Sequence, residues 1–226
     1  MTGRRERYLQ EMGLGPVWRA RGAPADAPDL VDAGAMDSAE LKAAVAGCTA
    51  CELHKTRIQA VFGVGDENAD WLFVGEAPGA DEDEQGEPFV GQAGKLLDNM
   101  LKRIGQKRGD NVYIANVVKC HPPSNRNPHL NEIAACMPYL RRQIELIQPK
   151  LIVTLGRIAS EALLEREATI ASLRGKVHVY QDIPLVVTYH PAYLLRTLQD
   201  KARAWEDLCL AKQAMQDLCS KEPATL

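Results

Sequence analysis

Trp71-Leu72-Phe73-Val74-Gly75-Glu76-Ala77-Pro78-Gly79 is the stretch that decides the fold. Its apolar run is too short for a helix and does not alternate with polar residues, which predicts a strand buried on both faces. Gly75 and the Pro78-Gly79 pair then stop the strand and turn the chain. Three more runs of this kind follow: Val112-Tyr113-Ile114-Ala115, Leu151-Ile152-Val153-Thr154-Leu155 and Leu185-Val186-Val187-Thr188-Tyr189. Helical patterns separate them, over residues 94 to about 104, 130 to about 147, 157 to 164 and 191 to about 218. A further helix is predicted to start at Ser38, read as its N-cap, and to run toward Gly47. Buried strands alternating with helices indicate an α/β domain with a largely parallel sheet. In such sheets ligands sit beyond the carboxyl ends of the strands.

The rest of the chain sets the frame. It has 226 residues, 46% apolar and 25% charged, an ordinary globular composition with room for one large domain or two small ones. No apolar run reaches the roughly 18–20 residues of a membrane span, and MTGRRERYLQ lacks the apolar stretch of a secretory signal. The expected location is therefore the cytoplasm, where cysteines serve as metal ligands, core residues or reactive thiols more often than in disulfides. The net charge of −3 conceals an asymmetry, because residues 66–87 carry nine acids and no Lys or Arg. Outside that segment bases outnumber acids, so a basic nucleic-acid face is compatible with the total. Residues 4–19 fit a short amphipathic helix, either a packed terminus or a tethered docking motif, and about 20–36 fit a flexible linker. The predicted division is an arm and linker over 1–36, a catalytic domain over 37–220 and a tail over 221–226.

Beyond the first strand, Gly75-Glu76-Ala77-Pro78-Gly79 leads through an acidic stretch to Gly86-Glu87-Pro88-Phe89-Val90-Gly91-Gln92-Ala93-Gly94. This glycine-rich segment predicts a shaped loop delivered to a helix start, a natural anion site. It is neither a P-loop nor G-x-G-x-x-G, and its carboxylates argue against a phosphate cradle. The second strand ends at Asn116, before Val117-Val118-Lys119-Cys120; Asn there is a turn former or a reader of a base edge. The fourth strand ends in His190-Pro191-Ala192-Tyr193-Leu194-Leu195-Arg196, where His190 is either structural or catalytic. Cys48-x2-Cys51 and Cys120-x15-Cys136 form one four-thiol constellation that suits zinc or an iron–sulfur cluster. Cys209 and Cys219, on a predicted helix, read as core or incidental.

Together these motifs resemble those of the iron–sulfur (family 4) uracil-DNA glycosylases, over roughly residues 38–210 and in family order. The resemblance implies a three-layer α/β/α sandwich around a central, mainly parallel four-stranded sheet, and a monofunctional hydrolase of base excision repair, which flips deoxyuridine out of DNA and cleaves its N-glycosidic bond. It implies a [4Fe-4S] cluster on Cys48, Cys51, Cys120 and Cys136. It also implies roles in the base pocket. Phe89 stacks on the flipped base, and Asn116 accepts from uracil N3–H and donates to O4. Glu82 lies near the C5 edge. His190 donates to O2, sharing that task with backbone N–H groups around Glu76 and Ala77. Other families place Asp or Asn where this sequence has Ala77, so the carboxylate that assists water falls to Glu76 first and Glu82 second. Leu194 or Leu195 is the expected wedge into the base stack. Arg196, Lys119 and Arg126 are the expected DNA contacts. The implied partner is uracil-containing DNA, single- or double-stranded, and no membrane. A monomer is expected, with the N-terminal arm as a docking element for a repair or replication partner. The chain lacks the basic, His-ending insert with which some relatives trap the sugar, so ordinary turnover is expected.

Overall fold

The computed structural model of the chain describes residues 32–221. The reading of an amphipathic helix over 4–19 and most of the linker lie outside these residues. Helix α1 spans Ser38–Gly47. Its N-cap is Asp37 rather than Ser38, because the Asp37 side chain accepts from Glu40 N at 2.9 Å while Glu40 returns a bond to Asp37 N at 3.0 Å. This reciprocal pair satisfies two otherwise free N–H groups, and Ser38 Oγ donates to Glu67 instead. Just before the helix, Ala33 is buried and Arg142 Nε donates to Met36 O at 2.8 Å, so residues 33–36 lie against the domain.

The sheet strands are β1 (Val64–Gly65), β2 (Trp71–Gly75), β3 (Val112–Asn116), β4 (Leu151–Leu155), β5 (Val177–Tyr180) and β6 (Ile183–Thr188). Their order is β1-β3-β2-β4-β6-β5. The four expected strands form its parallel centre, β3-β2-β4-β6, and the antiparallel edges β1 and β5 bring the sheet to six. Alternate residues of the central strands face opposite layers, as strand geometry requires. Leu72, Val74, Ile152, Leu185 and Val187 pack toward α1, α4 (Leu130–Ile147) and α5 (Arg157–Leu164). Phe73, Ile114, Val153 and Val186 pack toward α3 (Gln92–Arg103) and α8 (Lys201–Lys221). Fully burying one such Leu or Phe contributes about 1.5–3 kcal/mol. These two layers fix the strand ends from which the site is built.

Two elements differ from expectation. The acidic stretch is not all loop: Ala80–Gln85 forms a short helix, α2. The single helix expected from Pro191 is broken into α7 (Pro191–Arg196), a 3-10 turn (Leu198–Asp200) and α8. Thr197 leaves helical geometry at φ −123°, ψ 78°. Asp200, buried after the break, accepts from Tyr193 Oη at 2.7 Å and Arg203 at 2.9 Å, which holds the corner. A short helix, α6 (Ile170–Leu173), precedes β5. Among the described residues no helix is long and apolar enough to cross a membrane.

Candidate active site and thiol cavity

The chain runs from β2 to β3 on one side, then returns past β2 to β4. Ligand clefts open at such switch points, beyond the carboxyl ends of the strands. Here the cleft is walled by Glu76 and Ala77 after β2, Asn116 at the end of β3, Arg157 after β4 and His190 after β6. Glu82, Phe89, Asn125, Arg126, Tyr193 and Arg196 complete it.

Phe89 is buried and sits at φ +57°, a strained backbone for a bulky residue that persists only when its surroundings enforce it. Three fastenings do so. Arg108 donates to Pro88 O at 2.7 Å and to Phe89 O at 2.8 Å. Glu82 accepts from Val90 N at 3.0 Å and Gly91 N at 3.2 Å. Gly75 leaves the ring its place, since a Cβ there would lie 2.6 Å from Phe89 Cζ. The ring lies 5.6 Å from that of His190, inclined by 32°.

Asn116 is 2% exposed, and its Oδ1 has no hydrogen-bond partner. Its backbone is pinned in register opposite Gly75, and its carbonyl accepts from Lys119 Nζ at 2.9 Å. His190 caps α7: its Nδ1 accepts from Ala192 N at 3.1 Å. In the neutral ring this puts the proton on Nε2. Burial first, and Arg196 second, pull its pKa down from the usual histidine value to about 4. Burial raises the Glu76 carboxyl, with the nearby Arg157 charge opposing it. Gly156, at φ +97°, has room for nothing larger, because a Cβ would meet the His190 Cβ at 2.9 Å.

Several expected contacts take other roles. Lys119 is no DNA contact: it is 1% exposed, and its ammonium is held internally by Asn116 O and Gln143 Oε1. A buried charge needs such partners, so Lys119 braces the strand end that carries Asn116. Leu194 is no wedge, since it is 1% exposed and packs with Tyr189 and Ala204; Leu195, 42% exposed, is the leucine on the surface. Glu82 accepts from Gly79, Val90 and Gly91 N–H, so its two oxygens fasten loops and Glu76 remains the freer carboxylate. Arg126 borders the cleft while paired through both terminal nitrogens with Glu132 at 2.8 and 2.6 Å. Arg196 is exposed at the cleft rim. Sequence reasoning passed over Arg108, Arg157 and Tyr193. An Arg in a turn, an Arg opening a helix and a Tyr in a helix carry no local mark of what they reach.

On the α1–α4 side of the sheet, Cys48, Cys51, Cys120 and Cys136 wall one cavity together with Arg57 and Tyr139. Arg57 donates to Cys120 Sγ at 2.9 Å and Lys119 N donates to Cys136 Sγ at 3.2 Å, both bonds that favour thiolate. Burial opposes them, raising Cys51 and Cys120 and pushing Cys136 up to about 12. Among the described residues no group of three or more His, Cys, Asp or Glu side chains is drawn together for a single metal ion. Four thiols line the cavity beside His54, whose Nδ1 is engaged 2.7 Å from Cys51 O, and a donor set dominated by thiols fits a thiolate-ligated cluster. Cys209 and Cys219 are exposed on α8, away from this cavity and from the core.

The fold and these two sites define a class: an α/β protein with a cleft for a flat, hydrogen-bonding ligand beside a four-thiol cavity. The profile of the Uracil DNA glycosylase superfamily matches residues 62–209. The chain is 43% identical over 183 residues to a Type-4 uracil-DNA glycosylase of Pyrobaculum aerophilum, covering 77% of this chain and 93% of the relative. It is 44% identical over 190 residues to a protein of that name from Archaeoglobus fulgidus, covering 80% and 93%. A third, from Thermotoga maritima, is 44% identical over 169 residues, covering 73% and 88%. The chain therefore belongs to the uracil-DNA glycosylase superfamily, within its type-4 family.

Proposed function

We propose that the protein removes uracil from DNA by hydrolysing the bond between N1 of the base and C1′ of deoxyribose, leaving an abasic site for repair. The observation that carries this reading is Asn116 Oδ1, a buried acceptor without a partner in a cleft that also holds an aromatic ring and a neutral imidazole. Leaving such a group unpaired costs about 1–3 kcal/mol. Uracil N3–H supplies the missing donor, whereas cytosine N3 is itself an acceptor.

The base reaches the cleft only after leaving the helical stack, with Leu195 and the arginines at the rim as DNA contacts. Phe89 stacks on its face. As the C1′–N1 bond breaks, its electron pair moves into the base and negative charge gathers on O2, where the Nε2–H of His190 donates. The sugar becomes a cation at C1′. Water adds there, and Glu76 is the carboxylate that takes its proton. Ala77 offers no side chain for that task. Cys48, Cys51, Cys120 and Cys136 would hold a [4Fe-4S] cluster, which supplies a cross-link between the residue 48–51 turn, the β3 end and α4.

The test is incubation of the iron-containing protein with a uracil oligonucleotide, followed by alkali to cleave abasic sites. Matched thymine and cytosine strands should stay intact. An uncut uracil strand refutes the reading.

A further inference from the structure

Consecutive side chains of α2 reach two different parts of the molecule. Glu82 holds the loop that carries Phe89, as described above. Asp83, 3% exposed, reaches the segment that follows the first cysteine pair: its carboxylate accepts from Ile58 N at 2.9 Å and Gln59 N at 3.3 Å. Gln59 reinforces the junction, with Nε2 donating to Glu84 O at 2.7 Å. Arg57, two residues before Gln59, grips Cys120 Sγ and also Ala46 O, at 2.8 Å. From the other side His121, directly after Cys120, brings Nδ1 to 3.8 Å from Asp83 Oδ2. The other ring nitrogen of His121 lies 2.9 Å from Asn125 Oδ1, and Asn125 lines the cleft. The segments that follow Cys51 and Cys120, two of the three that flank the cavity, thus meet at one buried carboxylate, one residue from the clamp on the base-binding loop.

We propose that Asp83 is a positioning residue that couples the two sites, so that a cluster held by the four cysteines and a uracil held in the cleft stabilise one another. The inference rests on the uracil-excision reading. A buried carboxylate is costly unless its oxygens are satisfied, and here the backbone N–H groups satisfying it belong to the segment that follows Cys51, with His121 of the segment that follows Cys120 close by. Displacement of residues 57–60 or of His121 moves Asp83 and, through the same helix turn, Glu82 with the Phe89 loop. Coupling of this kind is reciprocal. If the cluster tightens the hold of the cleft on the base, an occupied cleft must tighten the hold on the cluster by the same factor in affinity, and slower release of iron is the expected sign of it.

That reciprocity supplies a readout other than activity. Iron release from the full chain into excess chelator is followed by the loss of visible absorbance. It is measured alone, with a saturating oligonucleotide bearing hydrolysis-resistant 2′-fluoro-deoxyuridine, and with the matching thymidine strand. The 2′-fluoro-deoxyuridine strand should slow release about fivefold or more in the unaltered protein, and the thymidine strand should not. Asp83→Asn should release iron faster and lose that protection while still binding the oligonucleotide by fluorescence anisotropy. Asp83→Glu, which keeps the charge, should recover part of it. Should Asp83→Asn fail to fold, Gln59→Ala removes an exposed side chain from the same junction and should reduce the protection. Protection undiminished in the variants overturns the role of Asp83 while leaving excision standing. Failure of the unaltered protein to cut uracil DNA brings down the underlying reading itself.

Discussion

Replacing His190 by Asn separates a neutral hydrogen-bond donor from a charged one. Neighbouring groups desolvate the ring, which together with Arg196 lowers its pKa to about 4. At pH 7 a group with that value is charged in about 1 molecule in 1,000, against about 1 in 4 for an ordinary histidine. The Nδ1 atom is occupied by Ala192 N–H at 3.1 Å, so Nε2–H is the donor left for the base. A preorganised donor at a developing oxyanion is worth about 3–4 kcal/mol, or 10²–10³ in rate. Asn can still accept from Ala192 N–H, which spares the roughly 1 kcal/mol of a lost helix cap. Single-turnover excision by His190→Asn should therefore fall about a hundredfold or more. DNA affinity should stay within about threefold, because the bond strengthens in the transition state. The profile of the unaltered protein from pH 5 to 8 should contain no step near 6.5. If the imidazolium were the working form, the rate would rise as pH falls through about 6.5 and the rise would vanish in the variant. That rise, or an equal loss of affinity and rate, refutes the reasoning.

Other outcomes follow from the same geometry. Glu76 must be ionised to take a proton, so excision should decline as pH falls through a pKa above the ordinary carboxylate value. Glu76→Gln should abolish that decline along with much of the rate. Leu195→Ala should lower excision from duplex more than from single strands with little change in thermal stability, whereas Leu194→Ala should cost about 2–5 kcal/mol of stability, read from denaturation. Cys120→Ala should lose iron and solubility and Cys219→Ala should keep both, by iron assay of the purified proteins; zinc without iron in anaerobically prepared protein counts against the cluster. Asn116→Asp should lose most uracil excision and gain weak cytosine excision that rises at lower pH, measured in parallel single turnovers.

The parallel centre of the sheet was legible because strands buried on both faces leave little place for polar side chains: their sequences are mostly apolar runs, and the buried hydroxyls of Thr154 and Thr188 are paired with Ser160 and Asp207. The edges lack that constraint. β1 is only Val64–Gly65, and β5 alternates between exposed and buried with His178 inside it. The break at Thr197 carries neither Pro nor Gly. It is held by Asp200 contacts with Tyr193 and Arg203, residues on both sides of the corner. The cleft residues Phe89, Asn116 and His190 were legible because each falls at a strand end or in a glycine-shaped loop, where special backbone announces itself in residue type.

Residue type alone misled where a short segment has an inside and an outside. Lys119 follows a strand end and reads as a surface cation, yet the chain beyond β3 carries it inward to Gln143 and the carbonyl of Asn116. Leu194 and Leu195 are adjacent apolar residues with opposite fates, because in α7 the buried face recurs at three residues, from Pro191 to Leu194. The acidic run misled in the same way. Its charge excess reads as a solvated loop, whereas Glu82 and Asp83 turn inward and accept five backbone hydrogen bonds between them. Those N–H groups belong to irregular backbone at residues 58–59, 79 and 90–91, which no strand or helix can satisfy. Carboxylates are the acceptors that let such loops be held rigid beside a cleft. The negative charge of Glu82 and Asp83 is therefore tied to the shape of the cleft, whereas Asp81, Glu84 and Glu87 of the same segment stay exposed to solvent.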